Sequence, residues 1–424
     1  MNTVLLVRRN NKILTLLYQD NRLLRAEACD ETDSVLDSIY LGRVKKVIPN
    51  IGAAFVEFMP GKLCFLPFTD CREPVLANRQ YEGSFQGTLK AEDEIAVQIV
   101  RDASGTKEYG ATADLSFAGK YLVLTIGKRQ TGFSAKLSKQ QKTLLRELIS
   151  EDETFRSLLS RYGLVFRTNV IALLQKDCEP RSGNTNTGLS ECADSIKEVL
   201  IKEACFLMEQ ADTLRENAPH RTCYSTLKKS GTPYIKAFQN YYEWEYDRIE
   251  TDDDQIFHEL EQYCIEHQLD STLKKLVYYQ DELLPLSKLY SVEARLAEAL
   301  DRKVWMKSGA YLVIDRTEAL TCIDINSGKC VDKKNPQEHY ERINLEAADE
   351  IAHQLMLRNL SGIIIIDFIN MESEEANRRV MQRLRTVLSR DPVKTVVYDM
   401  TPLGLVEVTR KKGKKTLCEQ LTEQ

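Results

Sequence analysis

Leu320 to Gly328 reads L-T-C-I-D-I-N-S-G, and Gly362 to Met371 reads G-I-I-I-I-D-F-I-N-M. In the first stretch an apolar strand runs into Asp324, then Asn326, then the turn pair Ser327-Gly328. In the second, four consecutive isoleucines predict a strand buried on both faces that ends on Asp367. A carboxylate closing a buried strand needs a hydrogen-bond partner, a counter-charge or a metal. Packed side by side, the two strands bring Asp324 and Asp367 to one sheet edge. Two carboxylates and an amide oxygen form an all-oxygen cluster, which suits a hard cation such as Mg²⁺. Mg²⁺ held by few carboxylates keeps waters and open positions for a substrate phosphate. The competing reading of the same spacing is two strand-end aspartates that cap turns.

The intervening segment supports a sheet. Asn335-Pro336-Gln337-Glu338 carries a helix start: a capping Asn, Pro at the first helical position, and Glu three residues after the cap. Tyr340, Ile343, Ala347, Ile351 and Leu355 follow at helical spacing on one face, and Gly362 is the expected terminator. Strand, crossover helix and strand make a βαβ-like unit, whose ligands bind at the carboxyl ends of the strands.

T-C-I-D-I-N-S-G, N-L-E-A-A-D-E-I-A at Asn344–Ala352 and G-I-I-I-I-D-F-I-N-M together resemble the catalytic core of the ribonuclease E/G family, endoribonucleases that cut single-stranded RNA. The resemblance implies that Asp324 and Asp367 bind Mg²⁺ and that Asn326 positions an aspartate by hydrogen bonding. Asn370 departs from the many relatives with Asp there, a position that is not a metal ligand in the family.

Length and composition set outer bounds. A chain of 424 residues predicts two to four domains. With 43% apolar and 29% charged residues it has an ordinary soluble composition. The net charge of −5 does not announce a nucleic-acid binder, so RNA binding requires local basic patches. No apolar run approaches a membrane span, and Val4–Val7 is too short for a signal-peptide core, so a cytoplasmic protein is expected. Eleven scattered cysteines without a C-x-x-C read as reduced core residues, Cys64, Cys205, Cys264 and Cys322 among them. Family members with a longer chain carry a cysteine pair after the catalytic core, through which two subunits share zinc. The corresponding tail, Lys411 to Gln424, has Cys418 alone. The expectation is a short form without the zinc link, in which any homodimer uses another surface.

Taken in order, residues 1–33 read as a three-strand meander, with Asn10-Asn11 and Asp20-Asn21 as turns. Three strands bury little alone, and the resemblance implies that they join residues 217–299 in an RNase H-like subdomain. Residues 34–113 hold closely spaced short strands at Ile39–Ile48, Ala53–Phe58, Leu63–Leu66 and Ile95–Arg101, which suit a small five-stranded barrel. In A-A-F-V-E-F, Val56 and Phe58 share one face while Phe55 and Glu57 share the other. A strand Phe is more often core than exposed. The resemblance implies an OB-fold RNA-binding domain here, with Phe55, Phe65 and Lys107 contacting RNA; base stacking on an aromatic contributes roughly 1–3 kcal/mol per base. Arg43, Lys45 and Lys46 add positive charge.

Residues 114–216 resemble the family's 5′-sensor, a pocket for the 5′-monophosphate of RNA. F-A-G-K-Y-L-V and G-L-V-F-R-T-N-V carry this resemblance, which implies contacts from Gly119, Val123, Arg167 and Thr168. A guanidinium fork and a hydroxyl suit a phosphate dianion. Lys136 stands where relatives often carry Arg. Asp177–Gly188 reads as a loop, and helical periodicity runs from Glu191 to about Met208. Residues 300–424 would be a DNase I-like α/β catalytic domain, with Thr395–Tyr398 a further buried strand and Lys394 matching an arginine near the scissile site. The expectation is thus a multi-domain α+β protein: an OB-fold barrel inserted in an RNase H-like subdomain, followed by the catalytic domain. Its expected activity is Mg²⁺-dependent hydrolysis of single-stranded RNA. The alternatives are an RNA-binding module without catalysis and a metal-dependent nuclease acting on DNA.

Overall fold

The computed structural model describes the chain outside residues 32–34, 81–88, 104–107, 151, 177–187, 240, 242, 268, 282, 329–335 and 423–424. It is mixed α and β, in two units. One comprises Met1–Glu31, Tyr246–Glu261 and Leu273–Gln424, the other Thr32–Glu245 and Gln262–Thr272. Among the described residues no helix is long and apolar enough to cross a membrane.

In the first unit, Asn2–Arg9, Lys12–Gln19 and Arg22–Asp30 form an antiparallel meander. Its turns place Asn10, Asp20 and Asn21 at positive φ, which Asn and Asp tolerate. Val4 to Val7 are all buried, as a central strand requires. The covering neighbour comes from far along the chain: Arg248–Thr251 runs parallel to Asn2–Arg9, and Leu276–Tyr278 follows it.

The same unit contains a six-stranded sheet. Its order is Lys303–Trp305, Tyr311–Arg316, Leu320–Asn326, Gly362–Asp367, Leu405–Arg410, Thr395–Met400. Only Leu320–Asn326 and Gly362–Asp367 run parallel, because helix Pro336–Leu357 crosses between them. That helix and Glu374–Leu388 pack on the face that carries Leu312, Ile323, Ile325, Ile364, Ile366 and Val406. The isoleucine strand is therefore not buried on both faces. Ile364 and Ile366 are fully buried, but Ile363 is 50% exposed and Ile365 is half-buried. Thr395–Met400 is likewise an edge strand rather than a buried one, with Val396 and Tyr398 exposed. Cys322, expected in the core, is exposed on the same open face.

The crossover helix also ends earlier than the sequence suggests. Asn359 takes the left-handed conformation (φ 49°), and the Leu360 amide donates back to the Leu355 carbonyl at 3.1 Å. Gly362 (φ 93°) opens the next strand instead of ending the helix. The expected cap Asn335 lies outside the described residues, and Pro336 is the first helical residue.

Beneath the sheet edge lies a buried ion pair. Arg410 Nε donates to Asp391 Oδ2 at 2.6 Å, and Nη1 donates to Asn359 Oδ1 and the Leu360 carbonyl. The side chains are 3% and 0% exposed, so one arginine ties an edge turn to the helix end.

In the second unit, Ile39–Ile48, Ala53–Met59, Lys62–Pro67, Tyr109–Thr112 and Glu94–Arg101 form a barrel, closed where the last pairs with the first. The fifth strand, Tyr109–Thr112, is short and contains Gly110, which hid it from periodicity. A four-stranded sheet follows, in the order Thr131–Phe133, Gly163–Phe166, Leu122–Thr125, Ser116–Ala118. Helices Lys139–Ser150, Glu153–Arg161 and Gly188–Asn217 contribute to its core, which includes Phe117, Leu124, Phe155, Leu164, Phe166 and Leu200. The helix read from Glu191 to about Met208 runs from Gly188 to Asn217.

Removing one partner of a buried ion pair strands the other charge. Asp391→Ala is expected to destabilise the unit that holds Arg410 by about 3–5 kcal/mol, read as a lower denaturant midpoint; a loss under 1 kcal/mol would rule out this role.

Candidate functional site

The parallel pairing sets the site. Leu320 pairs with Ile363, Cys322 with Ile365, and Asp324 with Asp367. Neighbouring strands lie about 4.8 Å apart, so the two aspartates emerge side by side. Alternation turns Ile323 and Ile325 toward the helices and both aspartates outward. Asn326, on the same outward face, donates from Nδ2 to Asp324 Oδ2 at 2.6 Å. Among the described residues neither aspartate has a Lys, Arg or His partner. Two adjacent, exposed carboxylates with no counter-charge fit a hard cation that completes its shell with water. No group of three or more His, Cys, Asp or Glu converges among the described residues.

Lys394 is not brought to this pair. It precedes Thr395, which pairs with Arg410, which in turn pairs with Gly362. Gly362 is at the start of the strand that ends on Asp367, so Lys394 lies roughly 15–20 Å away along the sheet. Asn370 is in the exposed turn just past Asp367, its Oδ1 close to Gly404.

In the barrel, Phe55 and Phe65 are cross-strand partners with ring centroids 5.8 Å apart. Both are half-buried, whereas Val56 and Phe58 are fully buried, so the phenylalanines present one edge of an aromatic pair to solvent. The bulge after Val44 sets Lys46 opposite Phe55. Arg43 is engaged by Glu94 and Lys45 by Glu57, while Lys46 is exposed. Tyr224 donates to Glu57; that bond, the Gly61 amide and Lys45 hold the Glu57 carboxyl down at about 2. Lys107 lies outside the described residues.

A third cluster forms on the four-stranded sheet. Arg167 Nη1 donates to the Gly119 carbonyl, and the Arg167 amide donates to the Tyr121 carbonyl at 2.7 Å. Thr168 Oγ1 and Ser134 Oγ are 2.8 Å apart. Val123 pairs with Val165 on the strand leading to Arg167, so Gly119, Val123, Arg167 and Thr168 share one end of this sheet. Among the described residues Arg167 forms no salt bridge, although its charge acts on the nearby Glu203 carboxyl. Lys136 is exposed, its amide donating to Ser134 Oγ.

A model of the ribonuclease E/G family matches residues 189–413. Ribonuclease G of Salmonella typhimurium (strain SL1344) is 33% identical over 397 residues, covering 90% of this chain and 74% of the relative. Ribonuclease G of Haemophilus influenzae is 32% identical, covering 92% and 75%. Ribonuclease E of Escherichia coli (strain K12) is 30% identical, covering 90% of this chain and 34% of the longer relative. The chain belongs to the ribonuclease E/G family. Within that family setting, sequence reading had passed over two residues beside Arg167. One is Ser134, the partner of Thr168. The other is Glu203, from helix Gly188–Asn217, whose Oε1 accepts the amides of Lys120 (2.5 Å) and Tyr121 (3.2 Å). A Cβ on Gly119 would run into this carboxyl, so the glycine is required. Glu203 is far from the Arg-Thr pair in sequence and sits mid-helix, where a lone Glu reads as solvent-facing.

Desolvation pushes the Glu203 carboxyl up to about 7, against the opposing backbone amides and Arg167. Its folded value lies above its unfolded one, so between roughly pH 4.5 and 7 the native state keeps a proton the unfolded chain has lost. Stability from this group is full below that window and falls as pH rises through it. Glu203→Gln retains the Oε1 acceptor both amides share. The melting temperature of wild type should drop more steeply from pH 5 to 7.5 than that of the variant; parallel curves would refute the assignment.

Proposed function

We propose that this chain is a Mg²⁺-dependent endoribonuclease that hydrolyses single-stranded RNA in RNA processing and decay, with the exposed Asp324–Asp367 pair as its centre. The observation that carries the reading is that pair: two carboxylates in register on adjacent strands, outward-facing and, among the described residues, without a Lys, Arg or His partner. The relatives' names, Ribonuclease G and Ribonuclease E, support the same activity. Asp324 and Asp367 would hold the ion, and Asn326 fixes the Asp324 carboxylate through its Nδ2. When bound, Mg²⁺ would supply a nucleophilic water and charge stabilisation at the scissile phosphate, leaving 5′-phosphate and 3′-hydroxyl ends. The protein's own part is orientation: the sheet register sets the spacing of the carboxylates, and the Asn326 bond restricts one of them to a single rotamer.

The remaining clusters fit RNA handling. Phe55 and Phe65 would stack bases beside exposed Lys46, and Lys107, outside the described residues, would contact RNA by the family resemblance. Arg167, Thr168, Ser134 and the Gly119–Val123 segment would take a 5′-monophosphate, tethering RNA at a second point. In this reading the barrel is an OB-fold inserted in an RNase H-like subdomain, the six-stranded sheet is a DNase I-like catalytic domain, and the protein works in the cytoplasm.

Asp367→Ala is expected to abolish internal cutting of a short AU-rich 5′-monophosphorylated RNA in Mg²⁺ while leaving binding in EDTA intact. Residual Mg²⁺-dependent cutting above one-hundredth of wild type would remove Asp367 from the centre. Arg167→Ala should slow cleavage of 5′-monophosphorylated RNA about tenfold or more and spare the 5′-hydroxyl form, following the strength of charge-assisted hydrogen bonds. An equal loss on both substrates would end the 5′-end assignment.

A further inference from the structure

The open face of the six-stranded sheet carries more than acids. Trp305 pairs with Tyr311, and Tyr311 pairs with Asn326. Cross-strand partners share a face, so Trp305 and Tyr311 lie on the face of Asn326 and Asp324, while Leu312 and Ile314, which alternate with Tyr311, point into the helix-covered core. Two strand spacings, about 10 Å, separate the Trp305 strand from the Asp324 strand. On the opposite flank Val396 pairs with Thr409, and Thr409 with Ile363, which puts Val396 on the open face; Tyr398 follows Val397 on the same edge strand, exposed where a bulge shifts the register before Met400. Trp305 is 63% exposed and Tyr398 48%. Large aromatic side chains thus stand on both sides of the acid pair, with Ile363 and Val396 exposed nearby.

The Trp305 corner is ordered by charge. The Trp305 and Tyr311 rings lie 5.1 Å apart, and Lys303 Nζ sits 4.0 Å from one ring centroid and 3.5 Å from the other. A cation held against exposed aromatic faces is the combination that binds single-stranded nucleic acid: rings for bases and an ammonium for the backbone.

We propose that Trp305 with Tyr311 on one flank, and Tyr398 on the other, are stacking platforms for the bases on either side of the scissile phosphate. The proposal rests on the assignment of Asp324 and Asp367 as the cleavage centre. An apolar protein surface covering this face would bury both carboxylates away from water, a costly arrangement. A nucleic-acid strand instead brings its phosphate, with a cation, to the acids and its apolar base faces to the flanks. Lys303 then serves the neighbouring phosphate.

The chain has two tryptophans, so Trp244→Phe leaves Trp305 as the sole reporter. In EDTA, a short single-stranded 5′-monophosphorylated RNA should quench its fluorescence saturably. Trp305→Ala and Tyr398→Ala should each weaken binding about 5- to 100-fold, Trp305→Phe should restore most of it, and an abasic residue next to the cut should erase the difference between wild type and Trp305→Ala. If this RNA binds without quenching and is still cut once Mg²⁺ is added, it bypasses the face and the platform falls while the nuclease stands. Quenching without cutting in Mg²⁺ leaves the platform and sinks the nuclease. Emission that shifts with protein concentration alone, and blocks RNA quenching, assigns the face to a second copy of the chain and overturns the proposal.

Discussion

The pairing of Leu320–Asn326 with Gly362–Asp367 is the constraint on which the rest of the six-stranded sheet depends. It holds two like charges one strand spacing apart, a repulsion of about 3 kcal/mol at an effective dielectric near 20. The hydrophobic face opposes any escape. Ile323, Ile325, Ile364 and Ile366 all point at helices Pro336–Leu357 and Glu374–Leu388, and a one-residue slip would turn each of them to water. Burial on one face thus enforces electrostatic crowding on the other. Keeping that second face open leaves the crowding screened by water, or neutralised by a cation, instead of trapped in an apolar interior.

How much of this was legible in the sequence follows from the same alternation. Strand, helix and strand between Asp324 and Asp367 could be read from spacing and capping, because those signals are local. The exposure of Ile363 and Ile365 could not. A run of β-branched residues satisfies strand propensity whichever face is covered, and here both helices fall on one side of the sheet. The distance of Lys394 from the aspartate pair was hidden for a related reason. Its place depends on the register of the Thr395–Met400 edge strand, which proximity in sequence to a catalytic motif does not report. The Tyr109–Thr112 strand was too short to show a period, yet without it the barrel is incomplete. For the core motifs and the Arg167 corner, family resemblance did what spacing could not, since an isolated Arg-Thr pair carries no signal of its own.

The Arg167 corner shows why its supporting residues were invisible. Arg167 and Thr168 are strand-end residues with recognisable chemistry, but the Gly119–Tyr121 segment that Arg167 bonds is itself held by Glu203, whose carboxyl gathers the Lys120 and Tyr121 amides. That carboxyl is retained despite desolvation because two backbone donors would otherwise lack an acceptor. The Gly119 carbonyl meanwhile takes one donor of Arg167, which fixes the direction of the guanidinium before any anion arrives. A phosphate binding there would meet an arginine already oriented, so little side-chain entropy remains to be lost.

The two aspartates of the pair are not equivalent. Asn326 donates to Oδ2 of Asp324, leaving Oδ1 as its open oxygen, whereas among the described residues Asp367 has no such bond. The outward spacing of Asp324 and Asn326, two residues apart on one strand, allows this contact without cost to the ladder. Asp324 is therefore pre-set, whereas no bond among the described residues orients Asp367 in this way. If the pair holds a cation as proposed, the oriented Asp324 carboxylate would position it and Asp367 would complete its protein ligands. The asymmetry comes from a single amide placed where alternation returns the strand to its open face, one step before the Ser327-Gly328 turn ends it.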